Sequence, residues 1–422
     1  MKSLCHLILF CSLGGLTAQA DGAGVTDSGH RRRDMGTVLG IERLIDEYPE
    51  LVRGNRTGVV TNYTMTDSRL IPVIDRLIRA FGRDIVKLFG PEHGVMAAAV
   101  EGESVGARMD EHSNLPALSL YGHQHQPTPE MMDDIDLIIV DLQDIGSRYF
   151  TYLSTLKGVL EISRDQGVRC IVVDRPNPIG GERQEGIPVQ PQYTSFVGCL
   201  PIPARHGLTL GEMARWLQRT RYPTLELEVV HMGNWRRSFY WDETALPFVP
   251  PSPNTTGPDM MVLYPGTCLF EGVNVSVGRG TAKPFEIIGA PFIDGFRLAR
   301  LFNRQNWPGV RARGLYFVPW RQRYAQTLCQ GVQLHVTQNR ILSPVRIGIA
   351  LLQLIHELYP EHFSFGPSRS QGHADSLFFD LLAGSGELRK AIEAGAGQDF
   401  LADESSWLQD FREEITQDLL YT

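Results

Sequence analysis

Through the first half of the chain, short, mostly apolar runs alternate with helical patterns. Residues 57–61, 85–89, 117–120, 137–140, 170–173 and 225–230 read as strands, and 71–81, 152–165 and 210–220 as helices. A strand with one wet face alternates apolar and polar residues, whereas an unbroken apolar run has to be covered on both sides. The pattern predicts an α/β fold: a Rossmann-like parallel sheet with helices on both faces.

Beyond residue 232 the alternation stops. A Pro/Gly-rich stretch (LPFVPPSPNTTGP, then YPGTCLFEGVNVSVGRGTAKPFEIIGAPF) reads as long ordered loops leading into a smaller α+β part, with strands at 316–318 and 332–336 and a helix at 345–358. The expected division is a catalytic domain over 37–232 and a C-terminal domain over 233–422 that closes a cleft. At the front, Lys2, an apolar run over 4–16 and Ala18-Gln19-Ala20 have the form of a cleavable export signal, 1–20, followed by a polar, Gly-rich flexible leader, 21–36. The run is too short and interrupted for a membrane span. The expected location is therefore outside the cytoplasm, periplasmic or secreted.

Lys and Arg number 40 against 48 Asp and Glu, a formal net charge of -8, and no basic run tracks a phosphate backbone, so nucleic acid is not an expected partner. No GxGxxG follows the first strand and no GxxxxGK[ST] occurs, which removes the nucleotide cradles. HExxH is not present, and no GxSxG elbow follows any of these strands. His123 and His125 alternate on a loop and read as solvated side chains more readily than as metal ligands. No cofactor and no metal are expected.

In open parallel sheets ligands bind beyond the carboxyl ends of the strands. Five such ends carry polar clusters: Thr61-Asn62; Gly90-Pro91-Glu92-His93-Gly94; Tyr121; Asp141 through Tyr149, with Asp144 and Arg148; and Asp174-Arg175-Pro176-Asn177. A hollow rich in carboxylates, guanidinium groups, amides and phenols suits a polyhydroxylated ligand. Hydrolysis of a sugar bond needs a proton donor at the glycosidic oxygen. Glu92, in a tight turn between glycines, is the expected acid, with His93 as its orienting neighbour and Asp141 or Asp144 as a second carboxylate. Either aspartate is equally suited to pinning Arg148 or Arg175 in a buried pair. His206, Asn254, Glu271, Arg279 and Glu286 are expected to add binding groups, the last three either closing the cleft or forming salt bridges with one another.

GPEHG, SLYG, DLQDIGSRYFTYLSTL, DRPNPIGG, PARHGLTLGE, PSPN, YPGTCLFEGVNVSVGRGT and PFEIIGAP, in this order, resemble the bacterial exo-β-N-acetylmuramidases. The resemblance implies an exported enzyme that removes β-1,4-linked N-acetylmuramic acid from the non-reducing ends of peptidoglycan fragments, with Glu92 as the acid. It also implies an arginine for the lactyl carboxylate, with Arg148, Arg175 and Arg279 as candidates. The chain departs from the family pattern at Val277, where glutamate is usual, and over 95–99.

Two other readings are open on the residues alone. One is a non-catalytic exported amino-sugar-binding protein. The other is a metal-dependent hydrolase using His93, His206 and Asp141 or Asp144.

Overall fold

A computed structural model describes residues 36–99, 106–121, 126–367, 376–402 and 404–422. The signal, all of the leader except Gly36, and the His123/His125 pair lie outside the described residues. Residues 36–422 form one compact unit.

Seven strands make the main sheet: β1 (Thr57–Val60), β2 (Ile85–Gly90), β3 (Arg108–Met109), β4 (Pro116–Ser119), β5 (Leu137–Val140), β6 (Arg169–Val173) and β7 (Leu227–Val230), in the order β3-β4-β2-β1-β5-β6-β7. All neighbours are parallel except β3, which runs antiparallel along the β4 edge. Every residue of β1 and β5 is buried, as strands covered on both faces require. From β1 the chain builds outward to β2 and β4, then returns to the opposite side of β1 for β5, β6 and β7. The crevice of a doubly wound sheet opens where the order reverses, here between the ends of β1 and β5.

Five helices accompany these strands: α1 (Gly40–Glu47), α2 (Val73–Phe81), α3 (Pro129–Met132), α4 (Tyr152–Gln166) and α5 (Leu210–Thr220). α2 starts two residues later than its apolar pattern, because Pro72 with ψ 135° stands before the first helical turn. α5 begins at a capping box in which Thr209 accepts from the Glu212 amide and Glu212 accepts from the Thr209 amide.

The C-terminal part holds α6 (Pro258–Thr267), strand β8 (Ile287–Ala290), α7 (Gly295–Arg304), strands β9 (Val310–Phe317) and β10 (Cys329–Val336), then α8 (Pro344–Leu358), α9 (Phe378–Ala383), α10 (Glu387–Glu393) and α11 (Glu404–Ile415). β8, β10 and β9 form a small antiparallel sheet. α6 corrects the expectation of loops in this region. It starts with Pro258 at its first position and is buried from Met260 to Thr267, so it has no polar stripe to betray a helical period, and Pro265 inside it reads as a breaker. The four described cysteines, Cys170, Cys199, Cys268 and Cys329, are unpaired.

Candidate active site

β2 ends at Gly90, and a turn closed by Gly94 N to Pro91 O (2.9 Å) lifts Glu92 out of the sheet. His93 and Gly94 both take left-handed backbone, φ 73° and 74°. This conformation is free for glycine but costly for histidine, so the second glycine of GPEHG is a requirement of the turn. His93 is buried and its Nδ1 donates to Ala99 O at 2.8 Å, which braces the turn from within. Glu92 is half-buried. Its Oε2 accepts from Thr151 Oγ1 at 2.6 Å, and its Oε1 has no hydrogen-bond partner among the described residues.

Thr151 precedes α4, whose first residue is Tyr152. The buried Tyr152 hydroxyl accepts from Asn62 Nδ2 (2.8 Å) and donates to Pro251 O (2.7 Å). Asn62 Oδ1 accepts from the amide and the hydroxyl of Thr64. Asn62, expected to bind substrate, instead joins the end of β1 to α4, and Tyr152 joins α4 to the PSPN turn. That turn is closed by Thr255 N to Ser252 O at 3.0 Å, and Asn254 is buried in it.

At the switch point Asp141 and Arg175 form a buried two-pronged pair, through Nε and through Nη2 to Oδ2 at 3.0 Å, and Arg175 Nη2 also reaches Thr66 O. Of the two roles open to Asp141, the geometry is that of the ion pair. Arg175, Gln143, Thr64, Thr66 and Trp241 line a cavity of about 20 Å³, room for about one water. Asp144 Oδ2 accepts from Gly146 N (2.6 Å) and faces His206 Nε2 (3.2 Å). Leu208 N donates to His206 Nδ1, so the ring proton lies on Nε2 and points at the aspartate. Asp144 Oδ1 and Gln143 Oε1 are buried with no partner among the described residues.

Four expected ligand-binding residues serve the scaffold instead. Arg148 is 2% exposed and donates to the carbonyls of Ile187, Ile202, Leu382 and Ala383, tying the β5–α4 loop to α9. Tyr149 is buried under the Arg148 guanidinium, and burial pushes its hydroxyl up to about 12. Asn177 bridges Leu208 O and Ile179 N. Asp174 is fully buried and accepts from Thr209 Oγ1, Gly211 N, Arg175 N and the Tyr421 hydroxyl; burial pushes its carboxyl up to about 6 against those four donors. The C-terminal residues are thereby fastened to the end of β6.

Outside the sheet a file of rings runs from the β5–α4 loop into the C-terminal part. Tyr149 meets Tyr264 edge-on (6.4 Å), Tyr264 meets Phe285 (4.7 Å), and Arg279 lies 5.0 Å over Phe285 while its Nε donates to Glu271 at 2.6 Å. Glu286 does not join Arg279; it is buried and pairs with the exposed Lys283 (3.0 Å). Val277, in the position where glutamate is usual, is buried in the apolar core. Tyr121 is half-buried against Phe196. A larger groove of about 780 Å³, lined by Glu42, Asp46, Arg69, Arg76 and Arg79, contains none of the expected site residues.

Among the described residues no three metal-ligating side chains gather, and of the residues in the metal-dependent reading only His206 and Asp144 meet, while His93 bonds Ala99 and Asp141 pairs with Arg175. Thr151 and Tyr152 were not singled out by residue type. They lie inside one of the quoted motifs, DLQDIGSRYFTYLSTL, and that was the available signal.

The family models for the exo-beta-N-acetylmuramidase NamZ match in both parts, the N-terminal model over residues 57–259 and the C-terminal model over 262–421. The peptidoglycan beta-N-acetylmuramidase NamZ of Bacillus subtilis (strain 168) is 38% identical over 419 residues, 99% of this chain and 98% of that protein. Two crystal structures of DUF1343 family proteins from Bacteroides fragilis NCTC 9343 share the fold. BF0371 has a TM-score of 0.82 at 34% identity, and BF0379 has 0.69 at 27%; each match covers 92% of this chain and 99% of the other. With models matched in both parts and a relative aligned along nearly its whole length, the chain belongs to the NamZ exo-β-N-acetylmuramidase family.

Proposed function

We propose that this chain is an exo-acting glycoside hydrolase that releases β-1,4-linked N-acetylmuramic acid from the non-reducing ends of peptidoglycan fragments, with Glu92 as the proton donor. The family membership supports the activity, and one observation carries the assignment of Glu92. Asp141, Asp174, Glu271 and Glu286 are each taken up by ion pairs or hydrogen bonds within the protein, and Asp144 is sealed from solvent beside His206. Glu92 is half-buried at a strand end, is held through one oxygen by a neutral hydroxyl, and makes no ion pair among the described residues. A carboxyl group held in that way presents its proton to the glycosidic oxygen as the bond to the leaving sugar breaks.

The pattern over residues 1–20 supports export, and we place the protein in the periplasm or the medium; the N-terminal sequence of the mature protein tests this. Glu92→Gln keeps the size of the side chain and removes the acid. It should lower release from a chromogenic muramide by roughly 10²-fold or more while saccharide binding persists. Turnover near the wild-type rate would remove Glu92 from the role. A wild-type protein that binds muramic acid and releases nothing from any muramoyl substrate would be the amino-sugar-binding module.

A further inference from the structure

The hairpin that joins β9 to β10 has no part in the site described above, yet it is built against it. Trp320 N donates to Gly280 O at 3.0 Å, directly beside Arg279. Gly280 has φ 78°, and a Cβ there would sit 2.7 Å from Arg321 N and 2.8 Å from Arg321 O, so glycine is what permits the hairpin to close on the GRGT loop. Tyr324 fastens the hairpin from its other side by donating to Asn274 O at 2.7 Å. Gln322, Tyr324 and Gln326, none of them glycine, all take left-handed backbone, at φ 67°, 61° and 59°. Strain clustered in this way is sustained where a loop has to present a particular side chain.

The side chain presented is Trp320, 66% exposed, with the Arg321 guanidinium 5.2 Å from its ring centroid. Val318 and Leu328 are exposed on the same hairpin. An apolar indole left in water on a braced loop marks a contact surface. The chemistry around it selects the partner. In a chain of net charge -8, the hairpin residues 318–328 contain Arg321 and Arg323 and not one carboxylate. A flat aromatic face in a basic, amide-rich surround suits an acidic saccharide, whose pyranose ring offers an apolar C–H face for stacking.

We propose that Trp320 is an aromatic platform for the leaving side of the substrate, stacking a sugar beyond the bond that is cleaved. The proposal rests on the exo-acting reading above. An enzyme that removes one terminal residue holds a single sugar on one side of the scissile bond, so all further length of the chain extends from the other.

The test compares two substrates in the same protein. A chromogenic muramide has one sugar and a small aglycone and does not extend to the platform, whereas a muramoyl tetrasaccharide from peptidoglycan does. Trp320→Ala should lower the ratio of kcat/KM for the tetrasaccharide to that for the muramide by roughly ten-fold, with Trp320→Phe retaining most of it. An unchanged ratio in Trp320→Ala overturns the proposal. So does an unchanged ratio accompanied by a smaller sedimenting species, which would make the hairpin a contact between copies of the chain. If the wild-type protein cleaves neither substrate, the exo-acting reading fails by itself. Calorimetric binding of the tetrasaccharide then decides the platform, with weaker binding by Trp320→Ala keeping it and equal binding removing it.

Discussion

Thr151 Oγ1 donates to Glu92 Oε2 at 2.6 Å, joining the residue that precedes α4 to the carboxylate that follows β2. The two lie 59 positions apart in sequence and meet only because β2 and β5 flank β1 and send their following loops to one end of the sheet. The hydroxyl sets where the acid points, so its removal should be felt in the chemical step.

Thr151→Val keeps the shape of the side chain and deletes that donor. We expect kcat on a chromogenic muramide to fall about ten-fold, the equivalent of about 1.4 kcal/mol, with KM changed by less than about two-fold. Steady-state kinetics beside a thermal melt checks this; a fall in stability without a fall in kcat would show that Thr151 does not position the acid.

Asp141 and Arg175 are 0% and 8% exposed, so removing either partner strands a buried charge. Asp141→Asn should cost about 3–5 kcal/mol in denaturant unfolding. The double variant Asp141→Leu/Arg175→Met, which removes both charges, should recover most of that loss. If the double variant is as unstable as the single one, the pair is not what holds the ends of β5 and β6 together.

Asp174 gives the fold a pH dependence. Its carboxyl ordinarily titrates near 3.8 and burial pushes it up to about 6, so between those values the folded protein holds a proton that the unfolded chain has released. Its contribution to stability is therefore full below about pH 4 and is lost as pH rises through about 6. The shift of about two units corresponds to about 3 kcal/mol. Urea midpoints measured from pH 4 to 7 should decline less steeply in Asp174→Asn than in the wild type; equal slopes would mean that the four donors around the carboxylate offset its burial.

The parallel sheet was legible because burial on both faces imposes an unbroken apolar run, as over 137–140, and such a run is a local property of the chain. α6 was not legible, because a helix buried all round shows no period and Pro265 reads as a break. At the site, GPEHG announced its own turn: the glycines and proline dictate local backbone, and the backbone brings Glu92 out of the sheet. Arg148 and Arg175 illustrate the opposite case. Each follows a strand within a polar cluster, and residue type does not separate them. One satisfies four main-chain carbonyls, two of them more than 230 positions away, and the other pairs with Asp141.

The order of residues was enough to establish the alternating α/β architecture, the polar strand ends and the glutamate lifted out of β2, since each follows from backbone preference and side-chain burial over a few neighbouring positions. Tertiary structure alone decided which carboxylates keep an open oxygen. Asp141, Asp174, Glu271 and Glu286 are neutralised or hydrogen-bonded by partners that the fold brings to them, and Glu92 receives a single hydroxyl. The energy of a buried charge depends on the donors within about 3 Å of it, and for Glu92 and Asp174 most of those donors come from distant parts of the chain.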